Sequence, residues 1–166
     1  MDNQINVCLA CDNNYAKYAG VVIASILAYS QQDENINCYI LDGGISDDNK
    51  SKFNELKTIK NCNIEFVQID ESMFEDYKKV ATHKYLSIAA YYRLRLATLL
   101  PNIDRIIYFD CDVIVNSSLK ELFNVDLHNN IIAGVKDINK KMLKINPNYI
   151  NSGMIVMDLN KIRQEN

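Results

Sequence analysis

The chain has no apolar stretch approaching the roughly 20 residues that span a bilayer, and no basic N-terminal segment followed by an apolar core of the kind that directs secretion. It has no excess of basic charge either. Its 18 lysines and arginines stand against 21 aspartates and glutamates, for a net charge of −3. A general polyanion-binding surface is therefore not expected, nor is nucleic acid as a partner. Histidine is scarce: His83 and His128 are far apart and form no metal-ligand spacing. There are five glycines and no Gly-x-Gly-x-x-Gly, which disfavours a dinucleotide cofactor bound in the usual way. Cys8, Cys11, Cys38, Cys62 and Cys111 are odd in number and scattered through apolar runs, so reduced thiols in a cytosolic protein are expected. Cys8-Leu9-Ala10-Cys11 matches a zinc or redox spacing formally. In a strand, however, residues i and i+3 face opposite sides, and the pair reads as small core residues.

What is present is a chain of 166 residues, 48% hydrophobic and 23% charged, long enough for one domain with its own core. Ile5 to Cys11 reads as a first strand, stopped by the polar cluster Asp12-Asn13-Asn14-Tyr15. A helix over 16–29 follows, with Tyr18, Val21, Val22, Ser25, Ile26 and Tyr29 expected on its apolar face. Ile36 to Leu41 and Ile64 to Ile69 read as strands on either side of a helix capped by Ser46, with Phe53, Leu56 and Ile59 on its apolar face. A short helix is expected over 73–80. A longer one runs from Ser87 to Leu100, closed by Pro101, with Ala90, Tyr91, Leu94, Ala97 and Thr98 on one face. It carries Arg93 and Arg95, and an arginine on an apolar helix needs either a buried acid or an anionic ligand, or else reaches solvent. After the strand Ile106 to Phe109 come a capping box at Ser118 and Glu121 and a turn at Asn129-Asn130. A strand Ile131 to Val135 and a polar loop over 138–149 follow, then a strand Met154 to Met157 and a helix capped by Asp158 or Asn160. This alternation predicts a three-layer α/β domain with a mainly parallel sheet.

The chain is organised around Ile106-Ile107-Tyr108-Phe109-Asp110-Cys111-Asp112-Val113-Ile114-Val115. An unbroken apolar run reads as a strand buried on both faces. If the backbone stays extended, Asp110 and Asp112 point to one side. A hard divalent cation bound by oxygens is the simplest way to hold two such carboxylates together. The simpler alternative is an Asp that starts a turn by bonding its own backbone. Asp12 and Asp137 also fall just past strand ends, and ligand sites in open α/β sheets lie beyond those ends. Asp12, Asp110 and Asp112 are therefore expected at one edge of the sheet.

Four segments, Leu9 to Tyr15, Tyr92-Arg93-Leu94, Tyr108 to Asp112 and Asn151-Ser152-Gly153, resemble the family 8 retaining glycosyltransferases in the family's order. This is the glycogenin and bacterial lipopolysaccharide galactosyl- and glucosyltransferase type. The resemblance implies a Rossmann-like A-type glycosyltransferase fold, a UDP-hexose donor, a saccharide or glycolipid acceptor, and Mn²⁺ or Mg²⁺. It implies that Asp12 and Asn14 hold uracil and ribose and that Tyr15 stacks near the base. Arg93 then contacts the donor side, Asp110 and Asp112 bind the metal, and Asp137 and Asn151 hydrogen-bond the transferred sugar. The family's third metal ligand is a histidine in a later segment, and neither His83 nor His128 stands in its motif. Residues 1–166 are therefore expected to form the nucleotide-sugar-binding part of a longer protein, cytoplasmic and at the inner face of the membrane, with self-association covering any exposed core. Two other readings stay open. One is a haloacid-dehalogenase-like phosphatase with Asp110 as nucleophile and Asp112 as acid/base. The other is a non-catalytic nucleotide-sugar-binding module.

Overall fold

The computed structural model describes residues 3–80, 88–139 and 144–165. Six strands form one sheet in the order β3-β2-β1-β4-β6-β5. They are β1 (Gln4–Cys11), β2 (Asn35–Asp42), β3 (Asn63–Gln68), β4 (Arg105–Phe109), β5 (Ile132–Lys136) and β6 (Ile150–Asp158). β1 pairs in parallel with β2 and β4, and β2 with β3. β6 runs antiparallel to both β4 and β5, so β5 points the same way as β4. The C-terminal ends of β1, β4 and β5 and the N-terminal end of β6 thus share one edge.

Alternation along the strands builds two apolar layers. Ile5, Val7, Leu9 and Cys11 of β1 pack with Ile36, Cys38, Ile40, Ile107 and Phe109 under α1 (Ala16–Tyr29) and α2 (Asp47–Glu55). Cys8, Ala10, Tyr39, Leu41, Ile106 and Tyr108 face the other way. They meet Phe74, Ala89, Tyr92, Leu96 and Leu159, which lie on or beside α3 (Glu75–Val80), α4 (Ala89–Tyr92), α5 (Leu96–Leu99) and, after the short α6 (Lys120–Phe123), α7 (Leu159–Glu165). Cys8 and Cys11 are both buried and lie on opposite faces, as their spacing in a strand requires. The expected three layers and mainly parallel sheet are present.

Several local expectations need correction. The buried stripe of α1 is Ala16, Ala19, Val22, Ile23, Ile26 and Leu27, while Tyr18, Val21 and Tyr29 are about half exposed. This helix is apolar nearly all round, so three- and four-residue spacing fits more than one stripe. The helix expected up to Leu100 is broken: α4 passes into a 3₁₀ turn at Arg93–Arg95 before α5. The break turns Ala89, Tyr92, Leu96 and Leu100 inward and leaves Leu94 exposed; Ser87 lies outside the described residues. The capping box at Ser118 does not form, because its hydroxyl donates to the buried carboxylate of Glu34 while accepting from the Lys120 amide. Asn151-Ser152-Gly153 belongs to β6 rather than preceding it. Ser46 does cap α2, accepting from the Asn49 amide, and the Asp158 carboxylate accepts from the Lys161 amide at the start of α7. Among the described residues, no helix is long and apolar enough to cross a membrane.

Candidate active site

The shared edge carries a cleft of about 190 Å³ lined by Ala10, Cys11, Asp12, Tyr15, Ala89, Ala90, Arg93, Tyr108, Asp110, Cys111 and Asp112. Three carboxylates and one guanidinium converge there from β1, β4 and the α4–α5 break. A larger cleft, about 520 Å³, lies between α1 and α2. It carries Lys17 and Lys52 but no carboxylate, so the convergent chemistry is in the smaller one.

Asp12 begins where β1 ends. Its Oδ1 accepts from the amides of Asn14 (2.9 Å) and Tyr15 (3.0 Å), an Asx turn that leads the chain into α1. One oxygen thus shapes the turn, and the other is unused among the described residues. Tyr15 is half exposed at the cleft, tilted against Tyr18 with ring centroids 5.6 Å apart. Asn14 lines the α1–α2 cleft instead. Asn13 ties this loop to α2: its Oδ1 accepts from the Ser46 amide (2.9 Å) and from Asn49 Nδ2 (2.8 Å).

The chain does not stay extended through the Asp pair. It turns at Cys111-Asp112, so Asp110 and Asp112 meet the cleft as the two ends of a turn rather than as neighbours on a strand face. Asp110 is anchored from both sides. Its amide donates to Gly153 O of β6 (2.8 Å), and its Oδ1 accepts from Arg93 Nη2 (2.6 Å). Arg93 also donates from Nε to Ala90 O (2.7 Å) and from Nη1 to Ser152 O (2.5 Å). Its guanidinium lies 4.3 Å from the centre of the Tyr108 ring, a cation–π distance. Burial raises the Tyr108 phenol far above its usual range, so it stays neutral under the arginine.

Arg93 therefore has the acid partner that an arginine on an apolar helix calls for, a half-buried one, and it is one of the pair. The sequence pointed to Arg93 and Asp110 but not to the other groups that hold the arginine. Ser152 acts through its backbone, and Tyr108 is indistinguishable from a core residue in sequence. Gly153 has a signal in Asn-Ser-Gly: a Cβ there would lie 3.2 Å from Asp110 Oδ2 and 3.1 Å from Asn151 Oδ1.

Asp137 and Asn151 lie at the same edge but do not line the cleft. Asp137 follows β5, where its amide donates to Tyr149 O (3.0 Å) and its Oδ1 accepts from the Asn139 amide (2.7 Å). Asn151 Oδ1 accepts from the Gly153 amide (2.8 Å). His128 is exposed beside Asp126, away from the cleft, and His83 lies outside the described residues. No group of three histidine, cysteine or acidic side chains that could hold a metal occurs among the described residues. Asp110 Oδ2 and the exposed Asp112 are hard oxygen donors and suit Mg²⁺ or Mn²⁺, which commonly take one or two carboxylates and complete their shell with water and phosphate.

The family model for glycosyl transferase family 8 matches residues 6–166. A putative glycosyltransferase of Haemophilus influenzae is 36% identical over 98% of this chain and 51% of its own length. General stress protein A of Bacillus subtilis is 30% identical over 99% of this chain and 59% of its own length. The structure of the galactosyltransferase LgtC, in complex with donor and acceptor sugar analogs, superposes with a TM-score of 0.82 at 28% identity, covering 98% of this chain and 60% of that one. The chain thus spans about half to three fifths of the length of these relatives. With six strands in A-type glycosyltransferase arrangement and the acidic cleft at the strand ends, the chain belongs to glycosyl transferase family 8.

Proposed function

We propose that residues 1–166 form the donor-binding part of a metal-dependent, retaining hexosyltransferase. It takes a hexose from a UDP-sugar for a saccharide or glycolipid acceptor in bacterial cell-surface polysaccharide synthesis. The observation that carries this reading is the convergence of Asp12, Arg93, Asp110 and Asp112 on one cleft at the C-terminal strand edge, where α/β sheets bind their ligands. The unused oxygen of Asp12 reads the uracil, Tyr15 stacks on it, and Asn14 reaches the ribose from the adjoining loop. Asp110 and Asp112 hold Mn²⁺ or Mg²⁺ against the diphosphate, and Arg93 fixes Asp110 for that task. A bound divalent cation supplies charge stabilisation to the departing diphosphate. Asp137 and Asn151 lie at the edge where the hexose would emerge, and hydrogen-bond it.

Among the described residues of the cleft we assign no covalent nucleophile for the anomeric carbon: its carboxylates are given to the uracil and the metal, and its thiols lie on the floor among core residues. A same-face reaction through an oxocarbenium-like state, with the leaving diphosphate taking the acceptor proton, fits that arrangement. The phosphatase alternative is set aside by family membership, and Arg93 occupies an oxygen of Asp110, its would-be nucleophile.

The test is thermal denaturation of the chain with UDP-glucose and UDP-galactose, with and without Mn²⁺. Binding raises stability by mass action, about 2.7 kcal/mol at a hundredfold excess over Kd. A Mn²⁺-dependent rise is expected, weak because few protein ligands hold the cation, and Asp112→Asn should remove it while the fold survives. Transfer to an acceptor is expected only from a version extended to the length of the relatives, since acceptor positioning is a large part of catalysis. Absence of any nucleotide-dependent shift in both versions would refute the reading. Binding without transfer by the extended version would favour the non-catalytic module.

A further inference from the structure

The cleft carries two nucleophilic groups that donor binding does not use, the thiols of Cys11 and Cys111. β1 and β4 are parallel, with Val7 opposite Ile107 and Leu9 opposite Phe109. Cys11 closes β1, and Cys111 follows two residues after Phe109, just past the last paired position of β4. Neighbouring strands lie about 4.7–4.9 Å apart, within the roughly 4.4–6.8 Å between Cα atoms that a disulfide spans. Both side chains belong to the same layer. Cys11 is buried with Val7, Leu9, Ile107 and Phe109, and Cys111 packs against that cluster. The turn after Asp110 carries Cys111 Sγ to 3.5 Å from Ala10 O, the carbonyl joined directly to Cys11. The two differ in access: Cys11 is 1% exposed, while Cys111 is half-buried. Cys8 is on the opposite face of the sheet. Cys38 and Cys62 lie on β2 and just before β3 and do not line the cleft.

We propose that Cys11 and Cys111 are a reversible oxidation site: hydrogen peroxide joins them in a disulfide across the floor of the cleft, and the cross-link closes the donor site. The chemistry balances without another reactant. The sulfur of Cys111, the accessible one, attacks one peroxide oxygen. The O–O bond breaks, and a Cys111 sulfenic acid and water result. The sulfur of Cys11 then attacks the Cys111 sulfur, the S–O bond breaks, and the departing hydroxyl leaves as water with the Cys11 proton. Two thiols are oxidised and one peroxide is reduced to two waters.

The order follows from the structure. Cys11 is closed to solvent, so it does not react first with oxidant, and it lies on the floor of the same cleft, next to the sulfur it must attack. The cross-link draws the Cys111 sulfur to a covalent S–S distance from Cys11. Asp110 and Asp112 flank Cys111 directly, so both carboxylates are displaced from the cleft. This second half, closure, rests on the donor-site reading.

The experiment oxidises the folded chain with a small excess of hydrogen peroxide and reads two things independently. The first is a peptide map under non-reducing conditions. Trypsin should release residues 1–17 joined to residues 106–120, lighter by two hydrogens than the separate peptides, with fragmentation placing the link at Cys11 rather than Cys8. Dithiothreitol should reverse it. In Cys11→Ser, Cys111 should stop at the sulfenic acid and be trapped by dimedone, with no cross-link. The second is UDP affinity with Mn²⁺, expected to fall roughly 10–100-fold, as when the support of a metal ligand is lost, and to return on reduction. Oxidation of Cys111 to the sulfinic acid without the link to Cys11, or links mainly to Cys8, Cys38 or Cys62, overturns the proposal. A Cys11–Cys111 link with unchanged UDP affinity overturns the closure. If the reduced chain binds no UDP, the donor reading fails, and the disulfide stands or falls on the peptide map alone.

Discussion

Arg93 is the group whose removal best tests how the site is held. Replacing it with Met keeps the stem that packs beside Tyr108 and removes the donor fork. Three hydrogen bonds go: to Ala90 O (2.7 Å), Ser152 O (2.5 Å) and Asp110 Oδ1 (2.6 Å). A hydrogen bond to a charged group is worth about 1.5–3 kcal/mol. Asp110 is 34% exposed in this pair, so solvent screening brings its share to about 1 kcal/mol. The two carbonyls border an open cleft and can turn to water, which leaves about 0.5 kcal/mol each. The sum is about 2 kcal/mol. At about 2–4 °C per kcal/mol for a domain of this size, Tm should fall by about 4–8 °C. Asp110 loses its orienting partner at the same time, so Mn²⁺-dependent UDP affinity should fall roughly 10–100-fold. Arg93→Lys retains the charge but cannot reach three acceptors from one planar fork. It should recover part of the stability and little of the affinity. The assays are thermal denaturation and isothermal titration with UDP and Mn²⁺. A lowered Tm with unchanged affinity in Arg93→Met would refute the positioning role and leave Arg93 as a purely structural pin.

Gly153→Ala places a Cβ 3.2 Å from Asp110 Oδ2, tight enough to push the carboxylate by a few tenths of an ångström. A small change in Tm with a clear loss of Mn²⁺-dependent UDP affinity is expected, and equal affinity would show that Oδ2 takes no part in the metal site. Asp42, at the end of β2, tests the neighbouring loop. Burial alone would raise its carboxyl, but Lys50 at 2.6 Å, the amides of Ile45 and Gly44, and Gln68 outweigh burial and hold it below its usual value. A carboxyl depressed in the folded state contributes stability above its unfolded value of about 3.9. That contribution is lost as pH falls through the folded value. Asp42→Asn should therefore flatten the dependence of Tm on pH below about pH 4, and parallel curves for the two proteins would refute it.

The layers, the mainly parallel sheet and the placement of Asp12, Asp110 and Asp112 at one edge were legible because they depend on alternation and on strands ending in polar residues. Ile5, Val7, Leu9 and Cys11 declare one face of β1 by parity alone. Helix faces were less legible where apolar residues surround the helix. In α1, Val21 and Tyr29 match the period as well as Ile23 and Leu27 do, and only the neighbouring sheet decides between them. The break at Arg93–Arg95 had no glycine or proline to announce it. Its cause is tertiary: Arg93 is held by Ser152 and Asp110, from segments 59 and 17 residues away. Sequence spacing carries no information about such contacts.

The same contacts are the physical ground for proposing a divalent cation in the cleft. Strand periodicity suggested two carboxylates side by side on one face, but the chain turns between them, and what gathers the charge is topology. β1 and β4 are neighbours, so Asp12 arrives beside Asp110, and α4 delivers Arg93 from the layer above. The result is three carboxylates against one guanidinium, and that guanidinium is already bound to Asp110. A nucleoside diphosphate entering this cleft meets excess negative charge with no unpaired basic side chain on its walls among the described residues. Like charges at 4–6 Å repel by a few kcal/mol at the effective dielectric of a protein surface. A hard cation between Asp110, Asp112 and the diphosphate reverses the sign of that interaction. Binding of UDP should therefore be almost wholly metal-dependent, whereas uridine, which lacks the phosphates, should bind equally with and without Mn²⁺. Equal affinity for UDP in Mn²⁺ and in chelator would mean that the diphosphate lies away from the Asp pair.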